Sequence, residues 1–96
     1  MYIRLVRFTL GKGARSTAEK LADEFVPAIK ALTGCSECVF ITDEDVGEYG
    51  IVVHWDSKEN ADAAAAAIGP RLSKALAEVT EESASMQLFE VYEPKE

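Results

Sequence analysis

Metal ligands and positive charge are scarce in this sequence. Beyond a pair of cysteines, a zinc site needs two further Cys or His ligands, and the chain has a single histidine, His54, so we expect no metal. Lysine and arginine total 10 against 17 acidic residues, giving a net charge of −7. An acidic surface repels nucleic acid and anionic membranes. We therefore expect neither as a partner.

Long apolar runs are also lacking. No stretch approaches the roughly 18 apolar residues that span a bilayer, and the first residues do not have the layout of a signal peptide. These features predict a cytoplasmic protein. A chain of 96 residues suits one domain and is too short for two, so residues 1–96 are interpreted as a single domain. A core this small commonly gains from subunit association.

The two cysteines, Cys35 and Cys38, lie in a Cys-x-x-Cys spacing. A redox pair of this kind normally begins a helix, which lowers the thiol pKa, but here the strand-like residues 39–42 follow. In an extended chain, residues three apart point to opposite faces and lie about 10 Å apart. A disulfide tolerates at most about 7 Å between Cα atoms. We expect two free thiols.

Hydrophobic periodicity predicts four strands and two helices. The predicted strands are residues 2–10, 38–42, 50–55 and 86–92, and the predicted helices are residues 16–33 and 56–79. The order βαββαβ is typical of an α+β, ferredoxin-like fold, with a four-stranded antiparallel sheet and both helices on one face.

Helix boundaries are predicted from capping residues. Ser16 with Glu19, and Asp56 with Glu59, have the spacing of capping boxes. Pro27 predicts a kink in the first helix, and the Gly-Pro pair at positions 69–70 predicts a break in the second.

Both faces of the predicted sheet are apolar. Residues 39–41 and 51–55 do not alternate between apolar and polar, as strands with one solvated face do. Two helices cover one face only. A second copy packed against the other face is the simplest cover, and a monomer with an exposed apolar patch is the alternative.

Several segments resemble the antibiotic-biosynthesis-monooxygenase (ABM-like) domains. They are the Gly-Cys turn at 34–35, the apolar strand 50–55 with its terminal Trp-Asp-Ser, and the acidic, alanine-rich helix that follows; residues 25–28 and 89–92 fit as well. The resemblance spans nearly the whole chain. It implies a dimeric α+β barrel with a small cavity between sheet and helices.

The resemblance also implies activities. Characterised ABM-like members include cofactor-free oxygenases of polyketide phenols and haem-degrading oxygenases, and the latter use a helical histidine that neither predicted helix contains. We therefore expect a cofactor-independent monooxygenase of small aromatic, polyketide-like molecules, with no cofactor. The alternative is a non-catalytic homodimer that binds a small apolar molecule or has a structural role.

Four side chains are candidates for the site. His54 is the only imidazole and is a candidate base, although strand alternation points it away from Trp55, toward the expected subunit interface. Trp55, Arg4 and Tyr92 are candidate ligand-binding residues. Each has a structural alternative: core packing for Trp55, pairing with Glu90 for Arg4, and a half-buried sheet edge for Tyr92. We expect the site beside Trp55, where the small side chains of residues 61–67 can leave room. The alternative is that these alanines let the helix pack closer to the sheet and close that space.

Overall fold

The computed structural model describes residues 1–95. It contains one four-stranded sheet and two helices in the order βαββαβ. The sheet comprises β1 (Tyr2–Thr9), β2 (Cys35–Asp43), β3 (Glu48–Trp55) and β4 (Ser85–Glu90), and the helices are α1 (Arg15–Lys30) and α2 (Lys58–Ala77). The spatial order is β2-β3-β1-β4, with every neighbouring pair antiparallel. The predicted ferredoxin-like fold is confirmed.

Strand register divides the sheet into two faces. Arg4 of β1 lies opposite Val53 of β3 and Leu88 of β4, and these side chains share the helix-covered face. The helices close that face with a continuous core, whose helical members are Ala18, Leu21, Phe25, Ile29, Ala61, Ala64, Leu72 and Leu76.

The other face carries no helix, and we call it the open face. Its apolar side chains are Ile3, Leu5, Val39, Ile41, Val52 and Phe89. Val39, Ile41 and Phe89 are each about 40% exposed. The strands carry apolar side chains on both faces of the sheet, and on the open face the helices do not cover them.

The first capping prediction was wrong and the second was partly right. Helix α1 begins at Arg15, whose Nε donates to Glu19 Oε2 at 3.0 Å. Glu19 is therefore paired with Arg15 one turn back, and no side chain caps that end. At α2 the cap is Ser57, whose Oγ accepts from Asn60 N–H at 3.2 Å.

The predicted break at Gly69 and Pro70 does not occur. Helix α2 runs without interruption from Lys58 to Ala77. A proline inside a helix removes one hydrogen bond and keeps a helical φ, and Leu72 and Leu76 beyond it are buried in the core. Packing of this last part of α2 outweighs the local preference. Helix α1 likewise continues through Pro27.

The cysteine geometry also differs from the prediction. Strand β2 begins at Cys35, and a register shift between Cys35 and Glu37 inserts an irregularity into the β2–β3 ladder. Since one extra residue restores the same orientation three positions later, Cys35 and Cys38 lie opposite Trp55 and Val53 on the helix-covered face. Both are free thiols, with Cys38 buried.

No helix within residues 1–95 is both long and apolar enough to cross a membrane.

Candidate active site

A partly enclosed cavity of about 80 Å³ lies between the sheet and α2. Trp55 and Arg4 line it from the sheet, Ala64 and Ala65 from the helix, and Met86 from β4. Its walls are almost wholly apolar. Larger depressions on the described chain, such as one of about 310 Å³ beside residues 80–84, are shallower and bordered mainly by exposed polar side chains. We refer to the first space as the Trp55 cavity.

Register and side-chain size together produce the Trp55 cavity. Strand alternation brings Arg4, Val53 and Trp55 to the helix-covered face. The facing turns of α2 present alanines and Gly69, which lack the side-chain volume to reach the sheet. The alanine-rich run thus leaves space instead of closing it, where the sequence predicted room.

Trp55 forms part of the sheet-side wall of the cavity. The side chain is 2% exposed, and its Nε1 is buried with no hydrogen-bond acceptor among residues 1–95. A buried donor without a partner costs about 1–3 kcal/mol of stability.

Arg4 supplies the only charge on the cavity wall of the described chain. Its side chain is 20% exposed, and its Nη2 lies 3.8 Å from Asp62 Oδ1 on α2. Asp62 itself is 60% exposed. The structural alternative for Arg4, pairing with Glu90, is not what the structure has: Arg4 lies nearest Asp62, and Glu90 accepts a hydrogen bond from Tyr2 at 3.4 Å.

The other predicted site residues lie outside the cavity. His54 is on the open face, with its Nε2 4.0 Å from Glu37 Oε2. Tyr92 follows β4 and is 74% exposed. Tyr49 packs against Phe8 in an aromatic cluster, and its buried hydroxyl has no partner within residues 1–95. The structure therefore brings Trp55 and Arg4 together and leaves His54 and Tyr92 apart.

The two thiols have raised pKa values, which disfavours the reactive thiolate form. Burial raises the pKa of Cys38 to about 11, and burial likewise raises the pKa of Cys35. Neither favours the thiolate that metal binding or redox exchange requires. Among residues 1–95, no group of three or more His, Cys, Asp or Glu side chains is arranged to hold a metal ion.

Sequence reasoning did not identify Asp62 and Met86 at the site. Asp62 interrupts the alanine run, and a carboxylate in an otherwise apolar helical stretch was the available signal. Met86 pairs with Val6 in the β1–β4 ladder, which follows from register and is not apparent from local sequence.

Solved structures with the same fold are numerous. A proposed antibiotic biosynthesis monooxygenase from Deinococcus radiodurans superposes with a TM-score of 0.85 at 18% identity, covering 100% of this chain and 97% of its own. The cofactor-independent oxygenase SnoaB of Streptomyces nogalater superposes with a TM-score of 0.78 at 18% sequence identity, covering 97% of this chain and 94% of its own. The monooxygenase ActVA-Orf6 of Streptomyces coelicolor, solved with nanaomycin D, superposes with a TM-score of 0.76 at 15% identity, covering 98% of this chain and 89% of its own.

This chain has the same fold as these ABM proteins. The likeness spans 97–100% of this chain and 89–97% of the three neighbours, so the fold resemblance predicted from the sequence is confirmed. Identities below 20% establish the ABM fold alone, because one fold hosts many activities. No protein-family profile matches the sequence, and no curated protein matches it.

Proposed function

We propose that this ABM-fold protein is a cofactor-independent monooxygenase of small aromatic molecules, with the Trp55 cavity as its active site. The observation that carries the proposal is the apolar cavity beside the buried Trp55 ring, with Arg4 as the one charged residue of its described lining. The name of SnoaB, a structural neighbour, describes cofactor-independent oxygenation. That chemistry needs a desolvated pocket and oriented donors rather than a resident cofactor.

The reaction proposed converts a phenol and dioxygen into a quinone and water. The ionised phenol gives electrons to dioxygen, and a C–O bond forms at the ring carbon. The resulting peroxide anion takes up one proton from solvent to become a hydroperoxide. Its O–O bond then breaks, and the departing hydroxide takes the C–H proton and leaves as water. One oxygen atom enters the product and the other leaves as water. The protein binds the ring, excludes solvent and holds the developing oxyanion.

The test is oxygen-dependent quinone formation by metal-free protein. Electron-rich phenols are incubated in air and under nitrogen, and quinone is followed by absorbance. Wild type should form quinone in air only. Trp55→Phe, which keeps one aromatic ring but removes the five-membered ring with Nε1 and so reshapes the cavity wall, should lower kcat roughly tenfold or more. Tyr49→Phe is the matched control, since it removes a buried hydroxyl outside the cavity, and should leave kcat unchanged.

Two negative results would decide against catalysis. Quinone formation that is equal in both gases, or equal in wild type and Trp55→Phe, would remove the oxygenase proposal. Tight ligand binding without any turnover would favour the alternative, a non-catalytic binding protein.

We also propose that two copies associate through the open face. Six apolar side chains lie on it, and three of them are about 40% exposed, an apolar patch of a kind that usually marks an interface. His54 lies on the same face beside Ile3, so it would be an interface residue rather than a base. The ABM resemblance implies the same dimer.

Light scattering coupled to size exclusion tests the dimer. The mass should be twice 10.5 kDa. Val39→Lys, on the open face, should give monomer because it buries a charge in the interface. Val46→Lys is the control, since Val46 is 55% exposed in the β2–β3 turn, and should stay dimeric. A wild-type monomer would contradict the proposal.

A further inference from the structure

We infer that the Trp55 cavity selects anions, and that its substrate is a compact, acidic phenol or enol that enters already ionised. This inference rests on the proposed function and specifies its substrate class. It follows from which ionisable groups surround the cavity and from the size of the cavity.

The cavity wall contains no proton acceptor suited to deprotonating a phenol. Apart from Arg4, its lining within the described chain is apolar, or is Trp55, which only donates. His54 lies on the opposite face of the sheet. Cys38 shares the helix-covered face but lies outside the lining, and its pKa of about 11 keeps it protonated. A substrate that must lose a proton inside would find no base.

Asp62 is the nearest carboxylate, and its position suits another role. It lies outside the cavity lining, is 60% exposed, and its Oδ1 already faces the Arg4 guanidinium at 3.8 Å. A separation of 3.8 Å exceeds hydrogen-bond length. Asp62 therefore partly balances the charge of Arg4 without occupying its donors. An incoming oxyanion can bind those donors directly.

Arg4 forms a receptor for one oxyanion, and the apolar wall that includes Trp55 accommodates the ring that carries it. The guanidinium keeps its positive charge and has several donors in one plane, and most of its side chain is shielded from water. Charge-assisted hydrogen bonds are about twice as strong as neutral ones. A neutral ligand would leave the charge of Arg4 without a matching group.

The cavity size restricts the substrate to a small ring. A dry protein cavity that holds benzene measures about 150 Å³, whereas the Trp55 cavity measures about 80 Å³. A single ring can enter with its far end toward the mouth, because Met86 on the rim is 42% exposed and methionine repacks readily. A fused three-ring molecule would require α2 to move away from the sheet.

A simple phenol would not meet this requirement. With a pKa near that of tyrosine, about 10, only about one molecule in a thousand is ionised at neutral pH. A phenol or enol made more acidic by a conjugated carbonyl or nitro group is largely ionised there. The anion then reacts with dioxygen, takes up one proton and yields quinone and water, with no base needed in the first step.

The test uses para-nitrophenol and its neutral methyl ether, para-nitroanisole, under nitrogen. Nitrophenolate absorbs in the visible range, so its ionisation is read directly in the presence of protein. The anion should bind roughly tenfold or more tightly than the ether, and binding should shift nitrophenol ionisation to lower pH. Arg4→Gln should abolish both effects, while Arg4→Lys should keep the direction of the shift.

Arg7→Gln is the matched control. Arg7 lies on the same strand, but it faces the open side, where its Nη2 contacts Glu48 Oε1 at 2.6 Å. Nitrophenolate binding should be unchanged in this variant. Equal binding of anion and ether by wild type, or an unchanged preference in Arg4→Gln, would overturn the inference.

The outcome is separable from the proposed function. Quinone formation together with equal binding of anion and ether would remove the anion inference and leave the oxygenase. Selective anion binding without any oxidation would remove the oxygenase and leave the anion site. In an active enzyme, the pH at which kcat/KM reaches half its maximum should follow the acidity of each substrate. A midpoint that is the same for all substrates would indicate a base in the protein and overturn the inference.

Discussion

Replacing Ala64 with leucine should fill the Trp55 cavity, stabilise the fold and abolish ligand binding. Ala64 lines the cavity and is 5% exposed. Cavities cost about 24 cal/mol per Å³, so 80 Å³ corresponds to about 2 kcal/mol. The three added carbons give a similar figure, at about 0.8 kcal/mol per buried CH₂. Because the cavity is partly open, we expect a gain of about 1–2 kcal/mol.

Urea unfolding at one fixed protein concentration measures this change, since the stability of an associating protein depends on concentration. Ala66→Leu is the matched control, because Ala66 lies two residues along α2 with an exposed side chain. It should change the free energy of unfolding by less than about 0.5 kcal/mol. Nitrophenolate binding should be lost in Ala64→Leu and retained in Ala66→Leu.

The opposite result would refute the reasoning. Inserting methylenes into a filled core typically costs about 1–3 kcal/mol. If Ala64→Leu were destabilised by that amount relative to Ala66→Leu, the space beside Trp55 would be packed in solution. The alanines of α2 would then serve close helix–sheet packing, and the active-site proposal would lose its cavity.

Two further predictions follow. Gly34→Ala should destabilise the protein by at least about 1 kcal/mol more than Gly13→Ala in urea unfolding. Both glycines have positive φ, but only at Gly34 would a Cβ lie 2.5 Å from Asn60 Nδ2 and Asp56 Oδ1. Equal losses of stability in the two variants would contradict this. Iodoacetamide at pH 8 should label native Cys38 far more slowly than Cys35, because a pKa of about 11 leaves about one Cys38 thiol in a thousand ionised. In unfolded, unreduced protein both cysteines should be labelled. Failure to label either cysteine there would indicate a disulfide between them.

The sequence was sufficient to predict the fold because its signals are local and repeated. Strand alternation within residues 2–10 is enough to assign Arg4 and Arg7 to opposite faces of the sheet, as the β1–β3 register has them. The small residues that follow Trp55 allow either a space or close packing between sheet and helix, and the structure has a space there. Both inferences need only periodicity and side-chain size.

The errors arose where tertiary packing decides. The Gly-Pro pair at 69–70 signals a break, yet burial of Leu72 and Leu76 keeps α2 continuous. The irregularity after Cys35 depends on pairing with β3, so the orientation of the cysteines is not visible locally. The Arg4–Asp62 contact depends on how α2 is rotated against β1, which no spacing within α2 specifies.

Isotopically labelled dioxygen tests the central claim most directly. Metal-free wild-type protein, a compact acidic phenol and labelled dioxygen are combined, and the quinone is analysed by mass spectrometry. A monooxygenase acting in the Trp55 cavity should place one labelled oxygen atom in each quinone, and Ala64→Leu should form no product. Unlabelled quinone, or labelled quinone formed equally well by Ala64→Leu, would contradict the account.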